Sequence, residues 1–198
     1  MRRPAKALVT KERTVHTYSE LWHASSCVLE AGRRDPKGSS WQFLSSAMLT
    51  AFAFEAYLNH AGSRAISCWE SLERLPPISK LDLLREVMKV DSLGGKNKRP
   101  LQTVHELFEF RSAIAHGKTE AVRQEPRRRD VNVHLDDYLG QRPTTRWERL
   151  IKTDAFAQRA REDSEAVLKV LHAARPEPKE ALFTFGIGVH SAIAQQDP

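Results

Sequence analysis

The sequence predicts an all-α fold: a bundle of four main helices with a short helix inserted and a small β-hairpin after the helix that ends at His116. Two observations carry that expectation. Long stretches repeat apolar residues at the three-and-four spacing of a helix face, and glycine or proline closes most of them. Strand-like alternation is confined to one short run, Val131-Asn132-Val133-His134-Leu135.

The first helix is expected over Glu12–Arg33, where Val15, Tyr18, Leu21, Trp22, Val28 and Leu29 form a stripe and the segment from Gly32 to Gly38 ends it. His16 and His23 lie seven apart on it with no further ligand types nearby, so both are read as surface or edge residues. The second helix starts at Ser39 or Ser40, either able to cap it, and runs to about Ser63 with Trp41, Leu44, Met48, Phe52, Glu55 and Asn59 on one face. A short helix over Ile66–Leu75 is broken by Pro76-Pro77, and another follows over Ser79–Val90. The segment from Asp91 to Pro100 is a loop by composition, and its Gly94-Gly95-Lys96 lacks the spacing of a phosphate loop. A helix from about Leu101 to His116 comes next, and Ala121–Arg123 is set to pair with Val131–Leu135 in the hairpin. The last helix, about Thr153–Ala174, turns Phe156, Ala160, Val167, Val170 and Leu171 inward before Pro176, and the apolar run from Leu182 to Val189 is expected to pack back on the bundle. This divides the chain into a tail (1–11), one helical domain (12–175) and a C-terminal tail (176–198).

Composition narrows the class. The 198 residues are 40% hydrophobic and 28% charged, as in a globular domain. Cys27 and Cys68 are far apart and unpaired in pattern, which fits a reducing cytoplasm and gives no metal motif. The N-terminus lacks the apolar core of a signal peptide, and the apolar run from Phe43 to Leu58 is too short to span a bilayer and contains Glu55, so no membrane association is expected. The net charge of +6 is unevenly spread: residues 96–152 carry 13 lysines and arginines against 8 carboxylates, whereas residues 153–198 are net acidic. Such a basic zone fits a polyanion backbone, although charged loops are also common as plain solvated surface.

The chemistry concentrates at one helix end. On a helix from Leu101, the residues Leu101, Val104, Leu107, Phe108, Ile114 and Ala115 make one apolar arc with Arg111 near its centre. A guanidinium so placed needs a carboxylate from a neighbouring helix or a phosphate from outside. Glu55 interrupts the stripe of the second helix in the same way, so the two are expected to meet. The pair would then be either a structural bridge or a clamp holding Arg111 for a phosphate, and on either view Arg111→Ala strands Glu55. His116 falls in the last turn, before Gly117, where the carbonyl end of the helix favours an imidazolium.

These residues carry a resemblance. Arg111-Ser112-Ala113-Ile114-Ala115-His116-Gly117 resembles the Arg-x4-6-His signature of the HEPN superfamily, and Phe52-Ala53-Phe54-Glu55-Ala56-Tyr57-Leu58-Asn59 is similar to the glutamate-bearing second helix of many such domains. The likeness covers roughly Thr14 to Arg175 and implies a HEPN-like bundle. It implies a metal-independent endoribonuclease without cofactor, of the kind found among toxins and phage-defence effectors, with Arg111, His116 and Glu55 as site residues and Ser112 in support. RNA supplies its own 2′-hydroxyl nucleophile, so the protein needs a proton-transfer group and positive charge at the phosphate. Lys118, Arg127, Arg128 and Arg129 are expected along the RNA path. One histidine per chain gives one proton-transfer group where cleavage uses two, so a homodimer meeting near Phe110–His116 is expected. Many members place Asn or Asp after the arginine, where this chain has Ser112. A second reading is therefore a non-catalytic RNA- or protein-binding module working with a partner, such as a small nucleotidyltransferase antitoxin. A third is a structural subunit with no RNA contact.

Overall fold

A computed structural model describes residues 7–117, 119–123, 142–176, 180–186 and 188–194. In chain order the elements are β1 (Ala7–Arg13), α1 (Thr17–Arg34), α2 (Ser39–Ala65), α3 (Trp69–Leu72), α4 (Pro77–Val87), α5 (Leu101–Ala115), α6 (Arg146–Leu150), α7 (Ala155–Ala173) and β2 (Gly188–Ala194). The architecture is all-α with one small antiparallel sheet.

α2 is the helix on which the others pack: it touches α1, α3, α4, α5 and α7. Its alanines explain how. Ala47, Ala51 and Ala61 are wholly buried, and small side chains let neighbouring backbones close in, while Phe54, Tyr57 and Leu58 fill the space between them. Gly62 does the same for α3, since a Cβ there would run into the Trp69 ring. The seam with α1 is polar but satisfied: Ser25 Oγ lies 2.7 Å from Thr50 Oγ1 and donates to the Ser46 carbonyl at 3.0 Å. Arg161 of α7 donates to Ser25 Oγ at 2.8 Å and lies over the Trp22 ring at 4.4 Å, tying α7 to α1.

Three departures from the sequence reading stand out. Glu12 and Arg13 are strand, not helix, because β1 pairs with β2 from Ala7↔Ala194 to Arg13↔Gly188; an extended His16 then turns the chain into α1. His16 is 8% exposed and not a surface residue. It packs against His60 (ring centroids 5.4 Å apart) and Tyr18 (5.5 Å), at the edge of a buried cluster that includes Tyr57, Arg175 and Glu180. Burial holds the His60 pKa down at about 4, helped by the nearby Arg175 guanidinium, and burial pushes the Tyr57 hydroxyl up to about 12. The expected hairpin falls mostly outside the described residues; Ala121–Arg123 has no regular structure, and the described sheet joins the two ends of the chain.

The apolar tail does pack on the bundle in part. Leu182 and Phe183 lie against the core, with Phe183 stacked on Trp22 at 4.5 Å, whereas Phe185 and Val189 are exposed. Gly186 has φ +82° and lies so close to the Thr14 carbonyl that a side chain has no room. Among the described residues, no helix is long and apolar enough to cross a membrane.

Candidate active site

α5 is held at its start and along its flank. At its start Arg99 donates from Nε and Nη2 to the two oxygens of the nearly buried Asp163 on α7, at 2.7 and 2.9 Å. Along its flank Arg146 of α6 reaches Glu106 and Glu109 at 3.3 and 2.8 Å, and Arg159 of α7 reaches Glu106 at 2.8 Å. Leu101, Val104, Leu107, Phe108 and Phe110 are buried, so the helix is fixed while its last turn, with Ser112, Ala113 and Ala115, faces solvent.

Glu55 and Arg111 do come together: Arg111 Nη2 is 3.6 Å from Glu55 Oε2. The carboxylate has a second partner that sequence reasoning missed. Lys80 of α4 donates from Nζ to Glu55 Oε1 at 3.0 Å, and its side chain is 1% exposed. A signal for it exists, because Lys80 stands one turn before Leu84 and two before Met88 on the inward face of α4. Glu55 thus carries two cations, one buried and one half-buried. Arg111 lies 5.9 Å from the centre of the partly exposed Phe52 ring, and its Nε is buried without a hydrogen-bond partner. That nitrogen is closed off from solvent, so a ligand could meet only the exposed part of the guanidinium, whose side chain is 28% exposed.

His116 caps α5, with φ −115° and ψ 20°, and its backbone N–H donates to the Ser112 carbonyl at 2.9 Å. Its ring is exposed and has no hydrogen-bond partner among the described residues. Gly117 follows without a left-handed backbone; its place is explained by the Ala113 carbonyl, which a Cβ would meet at 3.0 Å. Beside this helix end lies a cleft of about 420 Å³ whose walls include Ala113, Ile114, Gly117, Val122, Arg142 and Trp147. Lys118, Arg127, Arg128 and Arg129 lie outside the described residues. Among the described residues, no group of three or more His, Cys, Asp and Glu is placed to hold a metal ion.

Chemically, the arrangement offers a partly exposed guanidinium beside a carboxylate and a solvent-facing imidazole at one helix end. No family model, no curated protein and no solved structure matches the chain.

Proposed function

We propose that the chain is a metal-independent endoribonuclease of HEPN type, active as a homodimer. The observation that carries this reading is Arg111, beside Glu55 and with its side chain 28% exposed, on the same helix end as the exposed His116. In the proposed step the 2′-hydroxyl of RNA attacks the adjacent phosphorus, a P–O2′ bond forms and the P–O5′ bond breaks. His116 takes the 2′ proton, the Arg111 fork stabilises the charge gathering on the phosphoryl oxygens, and a second imidazole returns a proton to the leaving 5′ oxygen. A second copy of the chain would supply that imidazole, and the exposed Phe52 and Ala115 beside Arg111 suit a surface to be covered. A toxin or defence role, and control by an antitoxin partner, belong to the same reading.

The non-catalytic reading keeps two observations on its side: Glu55 and Lys80 make a triad with Arg111 that is sufficient as structure, and Ser112 stands where many HEPN domains have Asn or Asp. Incubation of labelled RNA with the protein and with His116→Ala separates the two. Cleavage that the variant loses, with an unchanged thermal unfolding curve, supports the nuclease. RNA retained intact by the wild type supports the binding module, and cleavage undiminished in the variant removes His116 from the mechanism.

A further inference from the structure

Of the walls of the cleft beside α5, Val122, Arg142 and Trp147 also line a neighbouring cavity of about 890 Å³ that reaches the first turn of α2 at Ser40 and Trp41. Two features of its walls bear on what it could hold.

The first is aromatic. Trp41 is 65% exposed on α2, and Trp147 of α6, half-buried, lines the same chamber. α6 is only five residues long, but it is firmly built: Thr145 and Glu148 form a reciprocal capping box, at 3.2 Å to Thr145 Oγ1 and 2.7 Å to Glu148 Oε2, and Arg146 pins the helix to α5. Trp147 is therefore a fixed plate and Trp41 an open one.

The second is charge. Arg123, Arg142, Arg149 and Lys152 line the chamber against one carboxylate, Glu148, which is already engaged in the capping box and by Arg142 at 3.6 Å. Arg123, Arg149 and Lys152 have no carboxylate partner among the described residues; Arg149 donates to the Thr144 carbonyl at 2.9 Å. Elsewhere on the described surface, arginines such as Arg33, Arg99, Arg146 and Arg159 each face an acid. The α2 N-terminus beside Trp41 adds to the positive field, with no side-chain cap and no acid in its first turn.

We propose that this groove binds single-stranded RNA, with Trp41 and Trp147 stacking on bases while Arg123, Arg142, Arg149 and Lys152 take the backbone phosphates. Stacking plates interleaved with cations, three of the four without a carboxylate partner among the described residues, suit a strand whose bases are free; a duplex hides its base faces, and an acidic peptide has none. Because the groove shares Val122, Arg142 and Trp147 with the cleft at Gly117, a strand lying in it comes next to the end of α5. This deepens the nuclease reading by naming the form of RNA, and rests on that reading for what happens at His116, but binding itself stands apart from cleavage.

The test is binding of a short unstructured oligoribonucleotide, followed by tryptophan quenching and anisotropy, on His116→Ala so that cleavage does not intervene. Trp41 is exposed enough to change without loss of the fold. Trp41→Ala is expected to weaken binding about tenfold and Trp41→Phe to retain most of it. Arg149→Gln should lower the slope of log affinity against log salt by about 0.7, the value for one phosphate contact on a single strand. Equal binding by Trp41→Ala, a duplex bound as tightly as the single strand, or polyglutamate displacing the RNA at matched charge would each overturn the proposal. Binding with this profile by a wild type that does not cut leaves the groove standing and removes the nuclease; cutting without dependence on Trp41 does the reverse.

Discussion

Glu55→Ala is expected to cost much more stability than Arg111→Ala, although the two residues face each other. The reason is Lys80. Its side chain is 1% exposed and its ammonium is answered by Glu55 at 3.0 Å, so removing the carboxylate leaves a charge beside Leu81 and Leu84 with no replacement acceptor. Breaking a buried pair from one side costs about 3–5 kcal/mol. Arg111→Ala leaves Glu55 with Lys80 in place. The arginine side chain is 28% exposed and its contact with Glu55, at 3.6 Å, is long for a hydrogen bond, so its loss belongs with solvent-touched pairs at about 1 kcal/mol or less. The contact with Phe52 adds roughly 0.5–1 kcal/mol. Urea unfolding at unchanged m-value measures both variants. Glu55→Ala combined with Lys80→Met should be more stable than Glu55→Ala alone, since an apolar side chain of similar length replaces the stranded ammonium. An Arg111→Ala variant as unstable as Glu55→Ala, or a double variant with no recovery, would refute this account of the triad.

Two further outcomes follow from buried groups. His60 is held at about 4 against an ordinary 6.5, so the unfolded chain binds its proton first as pH falls. The stability it contributes is complete above about 6.5 and is lost between there and about 4, a loss of about 3 kcal/mol. Unfolding midpoints measured from pH 7 to 4 should converge for wild type and His60→Gln; parallel curves would contradict the assignment. Gly62→Ala forces a methyl group into the Trp69 ring and should destabilise by about 1–3 kcal/mol, read as a lower midpoint, and an unchanged midpoint would mean that α3 does not sit on α2 as described.

The helices and the meeting of Glu55 with Arg111 were legible because periodicity and the expense of burying a lone charge are local or pairwise signals. Lys80 was overlooked since a lysine one residue from a leucine reads as exposed unless its turn-by-turn alignment with Leu84 and Met88 is weighed. The burial of His16 depends on His60 and Arg175, which local spacing does not connect to it. β1 reads as a tail running into the start of a helix at Glu12 because its partner lies at the other end of the chain, and no short window contains both. The groove was half visible: the basic zone stood out, but Trp41 was placed on an inward stripe and Trp147 was not singled out, and only the packing of α6 against α5 brings them to one space.

The strand pair that joins the ends also bears on how the chain could be rewired. Ala7 stands opposite Ala194, so the last residue of β2 and the first of β1 are neighbours, and a linker of a few residues would turn the two into an ordinary hairpin. New ends opened at Gly94-Gly95, where nothing crowds either glycine, would give a circular permutant that keeps every helix contact. In the natural order this pairing must close a loop of nearly the whole chain, whereas in the permuted order it closes within a turn. The same bundle would then have a lower contact order, and its refolding should be faster by whatever share of the barrier the closing of the ends now sets.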